Sequence, residues 1–178
     1  EEKRVAKTLI AYFSHAGQNY THGGIGYLEV GNTEVVAKKL HKLVDSDLFY
    51  IDTVKKYLDD HMEKIAAAKK EYEENARPVL TAKVENMDEY ENVILAFPNW
   101  WTTMPMALFT FLESYDFFGK TICPLITHGG SGFSNSLNDI ARLCPGARMK
   151  EGLAIHGDDV EKSDKALEKW VEKLGIAL

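Results

Sequence analysis

Cysteine is scarce. The two present in 178 residues, Cys123 and Cys144, lie too far apart for a C-x-x-C redox or zinc pattern, and one disulfide would be an unusual framework for this length. Both sit in apolar stretches, so two buried thiols are expected. Basic charge is also short, with 21 Lys and Arg against 27 Asp and Glu and a net charge of -6 with histidine neutral. No Lys/Arg cluster is dense enough to track a phosphate backbone, so nucleic acid is not an expected partner. Long apolar runs are missing too. The longest, residues 9–13, is far short of the roughly 20 needed to cross a bilayer, and the polar residues 1–4 have no signal-peptide core behind them. A cytoplasmic protein with no membrane partner is expected.

What is there describes a packed domain. Apolar residues make up 45% and charged residues 27% of the chain, unlike a disordered or collagen-like sequence. The length suits one domain, residues 1–178. Residues 7–13 read as a strand covered on both faces, because the run is almost continuously apolar. A polar, Gly-rich stretch then leads to a helix at 32–44, with Val35, Val36, Leu40, Leu43 and Val44 on one face. Strand 47–53 follows, then a charged and mostly solvated helix over 61–72 that Pro78 must stop. Strand 92–97 precedes a helix at 105–115 that starts with proline, and strand 121–127 precedes a helix running to Cys144. The last pair is a strand at 148–155 and a helix at 161–174 with Ala166, Leu167, Trp170, Val171 and Leu174 as its buried stripe and Gly175 as its stop. Five strands alternating with five helices predict an α/β fold with a parallel sheet between helix layers.

Ligands of such sheets bind beyond the carboxyl ends of the strands, beside the switch in strand order. Three loops there are unusual. The first opens with Ser14, His15, Ala16, Gly17, Gln18 and Asn19 and closes with Gly31, Asn32 and Thr33 at a helix start, which suits a phosphate dianion. The plainer reading is that Asn32 or Thr33 only caps the helix. No Lys or Arg occurs from residue 14 to 36, so hydrogen bonds and the helix dipole alone are expected to neutralise the phosphate. The second loop holds Pro98, Asn99, Trp100 and Trp101. Two adjacent tryptophans past a strand end cannot both enter the core, so one is expected to offer a flat face to the ligand crevice. The alternative is one in the core and one on a partner surface. The third loop, Thr127, His128, Gly129, Gly130, Ser131 and Gly132, brings backbone N–H groups close to a ligand.

Other motifs fail on their own terms. There is no G-x-x-x-x-G-K-[ST] for a nucleoside triphosphate, no G-x-S-x-G elbow to accompany the H-G-G, and Asn135 stands where a dinucleotide fingerprint needs its third glycine.

Taken together, Tyr12-Phe13-Ser14 with Gly31-Asn32-Thr33, Pro98-Asn99-Trp100-Trp101 and the Thr127 to Gly132 loop resemble the flavodoxin family over nearly the whole chain. The resemblance implies a five-stranded flavodoxin-like three-layer sandwich of strand order 2-1-3-4-5, holding one noncovalent FMN. It implies that Ser14, Asn32 and Thr33, with the backbone of Ala16, Gly17, Gln18 and Asn19, hold the phosphate. Pro98, Asn99, Trp100 and Trp101 would flank the ring, and Thr127, His128, Gly129, Gly130, Ser131 and Gly132 would meet its polar edge. No side chain is assigned a catalytic role and no metal is expected. The compact S-x-T-G-N-T loop of the family is interrupted here between Gly17 and Gly31, and the inserted segment would either cover the cofactor or reach a second copy in a homodimer. Two redox readings follow: an electron carrier serving a redox partner protein, or a reductase passing electrons from NAD(P)H to a small-molecule acceptor such as a quinone or nitro compound. A non-redox binding domain is the reading outside that class.

Overall fold

A central strand, β1 (Lys7–Tyr12), organises the molecule. The chain continues through β2 (Gly17–Thr21), β3 (Gly24–Leu28), α1 (Asn32–Leu43), β4 (Asp47–Tyr50) and α2 (His61–Glu73). It then runs through β5 (Tyr90–Pro98), α3 (Met106–Glu113), β6 (Thr121–His128), α4 (Ser136–Leu143), β7 (Arg148–Met149), β8 (Leu153–His156) and α5 (Asp164–Leu174). The structure is a computed structural model that describes residues 6–176. The polar start at residues 1–4, weighed above as a leader, lies outside them.

The main sheet runs β4-β1-β5-β6, with β7 and β8 sharing the position beyond β6, and every pairing in it is parallel. Counted along the chain this is order 2-1-3-4-5, as the resemblance implied, in the parallel sheet that the alternation predicted. The double-sided burial of β1 explains its apolar run. Leu9, Ala11 and Phe13 face a core shared with α3 and α4, whereas Ile10 and Tyr12 face one shared with α1 and α5, the two-residue alternation of a strand.

Several boundaries differ from the sequence expectation. The strand expected over 47–53 ends at Tyr50, and Thr53 instead bridges Leu80. Helix α2 stops at Glu73, well before Pro78, because Asn75 turns the chain into the left-handed region at φ 50°. Pro105 is the residue before α3 rather than its first. The strand expected over 148–155 splits in two. Between the pairs Ile122–Met149 and Leu125–Leu153 the edge advances one residue more than β6, a bulge. Gly152 occupies the break, where a Cβ would lie 2.6 Å from the Phe133 ring. A 3-10 turn, Gly157–Lys162, precedes α5, which begins three residues later than expected, and Ala166 is exposed rather than part of the buried stripe.

The insertion adds two strands that the alternation missed. β2 and β3 form an antiparallel hairpin that pairs with no strand of the main sheet. Both turn residues have positive φ, His22 at 46° and Gly23 at 81°, which matches the twist of a tight hairpin.

Candidate functional site

The chain leaves β1 toward β4 on one side and returns to β5 on the other, so the carboxyl ends of β1 and β5 diverge at the switch point. Helix α1 starts there. Gly31 precedes it, and no side chain of its own caps it, so the simple capping role weighed for Asn32 or Thr33 is not what the structure shows. Ser14, at the end of β1, accepts a hydrogen bond from the Glu34 N–H at 3.1 Å instead. The approach is close: a Cβ on Gly31 would lie 2.2 Å from Ser14 Oγ and 2.7 Å from the His15 carbonyl oxygen. Thr33 and Thr127 share a buried hydroxyl–hydroxyl bond of 2.7 Å, which ties the start of α1 to the end of β6.

A cavity of about 400 Å³ opens above these strand ends. It brings together Ser14, Asn19, Asn32, Thr33, Pro98, Asn99, Trp100, Trp101, Thr127, His128 and Gly129 from the sequence expectation. The other expected residues stand outside its lining. Ala16 is exposed, and Gly17 backs onto Asp59. Gln18 is turned to α2, where its Oε1 accepts from the His61 N–H at 3.0 Å. Gly130, at φ 132°, donates its N–H to His128 Nδ1 at 2.9 Å. Ser131 accepts from the Asn99 amide, and Gly132 turns the chain away at φ 62°.

The two tryptophans divide. Trp100 stands edge-on to Phe13 and Tyr57, at centroid distances of 5.1 and 5.0 Å, while still lining the cavity. Trp101 is 37% exposed and lies under α2. Its Nε1 donates to the Ile65 carbonyl at 3.2 Å, and Lys69 Nζ sits 5.5 Å from its ring centroid. Trp101 and Thr102 both adopt positive φ, 51° and 69°, a strained turn closed by reciprocal Trp100–Thr103 backbone bonds.

Sequence reasoning missed His15, His61, Lys64, Ile65, Ala68, His156, Gly157 and Asp158, all of which line the cavity, as does Tyr20 of the insertion expected to cover a cofactor or reach a second copy. His15 stands in the first loop, where the sequence assigns its ring no role of its own. Tyr20 arrives with the hairpin, its ring 3.4 Å from where a Gly129 Cβ would stand. The Ile65/Ala68 pair had a readable signal, an apolar i,i+3 spacing on α2. Lys64 had none. It is 4% exposed, and its Nζ donates to the Gln18 carbonyl at 2.7 Å and to Asn19 Oδ1 at 2.9 Å. The expectation that hydrogen bonds and the helix dipole alone neutralise a phosphate was drawn from residues 14–36; α2 folds across the hairpin and adds Lys64 to the cavity lining.

Burial governs the ionisation of these groups. It holds His15 down at about 4, with the neighbouring Lys64 charge adding to the effect, and lowers Lys64 to about 8. His61 and His128 are lowered as well, first by burial, then by Lys64 and His156 respectively. Both cysteines are buried and free, each thiol pushed up to about 12 by desolvation. Among the described residues no cluster of His, Cys, Asp and Glu could hold a metal ion, and no helix is long and apolar enough to cross a membrane. Three buried polar atoms of cavity-lining residues, His15 Nδ1, His61 Nδ1 and Asn99 Oδ1, have no protein partner. Such atoms are costly unless a polar ligand or water completes them.

The flavodoxin family profile matches residues 7–174. Among curated proteins there is no match. Among solved structures, a provisionally named flavoprotein from Bacteroides eggerthii DSM 20697 is similar at 28% identity and TM-score 0.77, covering 96% of this chain and 99% of its own. Another, from Bacteroides uniformis ATCC 8492, is similar at 30% identity and TM-score 0.75, covering 96% and 100%. A Lactobacillus acidophilus flavoprotein in complex with FMN shares the fold at 19% identity and TM-score 0.65, covering 89% and 98%.

Proposed function

The chain belongs to the flavodoxin family, and on that premise we propose that it binds one FMN noncovalently and transfers electrons through it. The observation that carries this is one cavity lined by the first turn of a helix, by small hydroxyl side chains and by Trp100. Ser14, Asn32 and Thr33, with the first turn of α1, would hold the phosphate. Trp100, Pro98, Asn99 and the backbone around His128 and Gly129 would enclose the ring. The unpartnered Asn99 Oδ1 fits a ligand with N–H donors. Bound there, the flavin supplies the redox chemistry, and the protein binds, orients and shields it. Tyr20 and Asn19 of the hairpin exclude water from one side, and His128 stands beside the cavity with its Nδ1 already engaged by Gly130. The acidic charge of -6 opposes adding negative charge to the ring.

The partner is a redox protein or a small acceptor in the cytoplasm, the compartment that suits two free, buried thiols. Purified protein is expected to be yellow and to release FMN on denaturation; a colourless preparation that takes up no added FMN overturns the reading. Steady oxidation of NADPH or NADH with a quinone by the holoprotein alone would make it a reductase. The carrier role predicts no such turnover and rapid exchange with a reduced partner protein.

A further inference from the structure

The α2 wall of the cavity holds basic groups that the phosphate end described above does not use. Lys64 is almost wholly buried, yet among the described residues it has no carboxylate partner, and two hydrogen bonds leave the third of its N–H donors open. His15 and His61 are its electrostatic neighbours, and each has a buried Nδ1 with no partner. All three side chains line the same cavity. Asp59 acts electrostatically on His15 and Asp60 on His61, each favouring the protonated ring, but neither bonds Lys64. Asp60 accepts from the Glu63 N–H at 2.9 Å as the cap of α2, and Asp59 backs onto Gly17. From β2, only the neutral groups of Gln18 and Asn19 meet Lys64. A buried, unpaired ammonium is unfavourable, and two orphaned ring nitrogens add to the cost. One anion would relieve all three, accepting from Lys64 directly and from each imidazole once it is protonated.

We propose that Lys64, His15 and His61 form an oxyanion subsite on the α2 wall of the cavity, taking a phosphate or carboxylate group. Only the source of the group rests on the FMN reading: it is either the cofactor's own phosphate or the acidic group of a second ligand.

The test is a titration of the flavin-free protein with inorganic phosphate, following the His15 and His61 ring C–H resonances against pH. Phosphate is expected to raise the protonation pH of both rings. Lys64→Met is expected to weaken phosphate binding about tenfold or more, the scale of one charge-assisted hydrogen bond. Because Lys64 also holds the hairpin, His61→Gln serves as the second variant: it keeps those bonds and should weaken binding several-fold. Affinities for FMN and riboflavin then identify the source. If the group is the cofactor's phosphate, Lys64→Met lowers the FMN preference over riboflavin about tenfold. If it belongs to a second ligand, that preference is unchanged and the flavin-loaded protein still takes phosphate in a Lys64-dependent way. Ring resonances indifferent to phosphate, or a phosphate response that survives both substitutions, overturn the subsite even in a protein that holds FMN. A protein that binds phosphate at this wall but no flavin keeps the subsite and overturns the cofactor reading.

Discussion

Gly31 and Trp100 show how single positions shape the cavity. The φ of Gly31 is -62°, open to any residue, so its requirement is steric: there is no room for a Cβ against Ser14 and His15. Overpacking of this kind costs about 1–3 kcal/mol. Gly31→Ala is therefore expected to push β1 and α1 apart at the phosphate end and weaken FMN binding about tenfold or more, as read by fluorescence titration; an unchanged affinity would remove Ser14 from the site. Trp100→Ala should weaken FMN by about 1–3 kcal/mol through lost aromatic contact. It should also lower the thermal midpoint, because Phe13 and Tyr57 lose an edge-on neighbour. For the half-exposed Trp101, alanine is expected to change stability by only about 0.5 kcal/mol. Denaturant unfolding of the two variants side by side separates the roles, and equal losses would contradict the division seen here. The motif spacing in the sequence pointed to both tryptophans but could not apportion them, since the left-handed turn at Trp101 and Thr102 sets their directions.

At the scale of elements, the β2–β3 hairpin stands apart. It is held by β2 backbone to Asp59, by Gln18 and Lys64 to α2, and by the His22 N–H to Asp158 at 2.9 Å, with no rung in the main sheet. Replacing residues 18–28 by a short glycine linker is expected to leave a cooperatively folding protein with a modestly lower midpoint. Flavin added to that variant should be quenched more strongly by iodide, because Asn19 and Tyr20 no longer wall the cavity. Loss of all cooperative unfolding would instead make the hairpin part of the core. The sequence carried a signal for this element, two short runs joined by His22-Gly23. The glycines and polar residues around the turn masked it, because they also suit a phosphate loop. Ile25 and Tyr27 are exposed although they stand directly opposite Tyr20 and Gln18 on one face of the ribbon.

Across the whole molecule, burial of imidazoles links stability to pH. His15 titrates at about 4 in the folded chain against 6.5 when unfolded, and His61 and His128 are displaced in the same direction. Between those values the unfolded chain binds more protons, so stability rises with pH across the window and is lost as pH falls from about 6.5 toward 4. The urea midpoint is expected to drop between pH 7 and pH 5, and His15→Gln should flatten that slope. A slope unaltered by the substitution would assign the acid sensitivity to other groups.

The parallel sheet, the two-faced burial of β1 and the placing of the cavity beyond the strand ends were legible in the chain because they follow from local periodicity and the handedness of crossovers, while the strand order came only with the family resemblance. The Ser14, Thr33 and Trp100 corners were legible because each stands just past a strand end or in the first turn of a helix, and Thr127 because it lies at the carboxyl end of β6. Only the tertiary structure decided the rest. Lys64 reaches Gln18 and Asn19 across 46 and 45 positions, and Asp158 meets His22 across 136, contacts between exposed-looking polar residues that no period marks. The sequence alone therefore predicted an anion site without cations. Packing α2 over the hairpin brings Lys64 to the wall of the same cavity, since Ile65 and Ala68, on the same turn of helix, line it too.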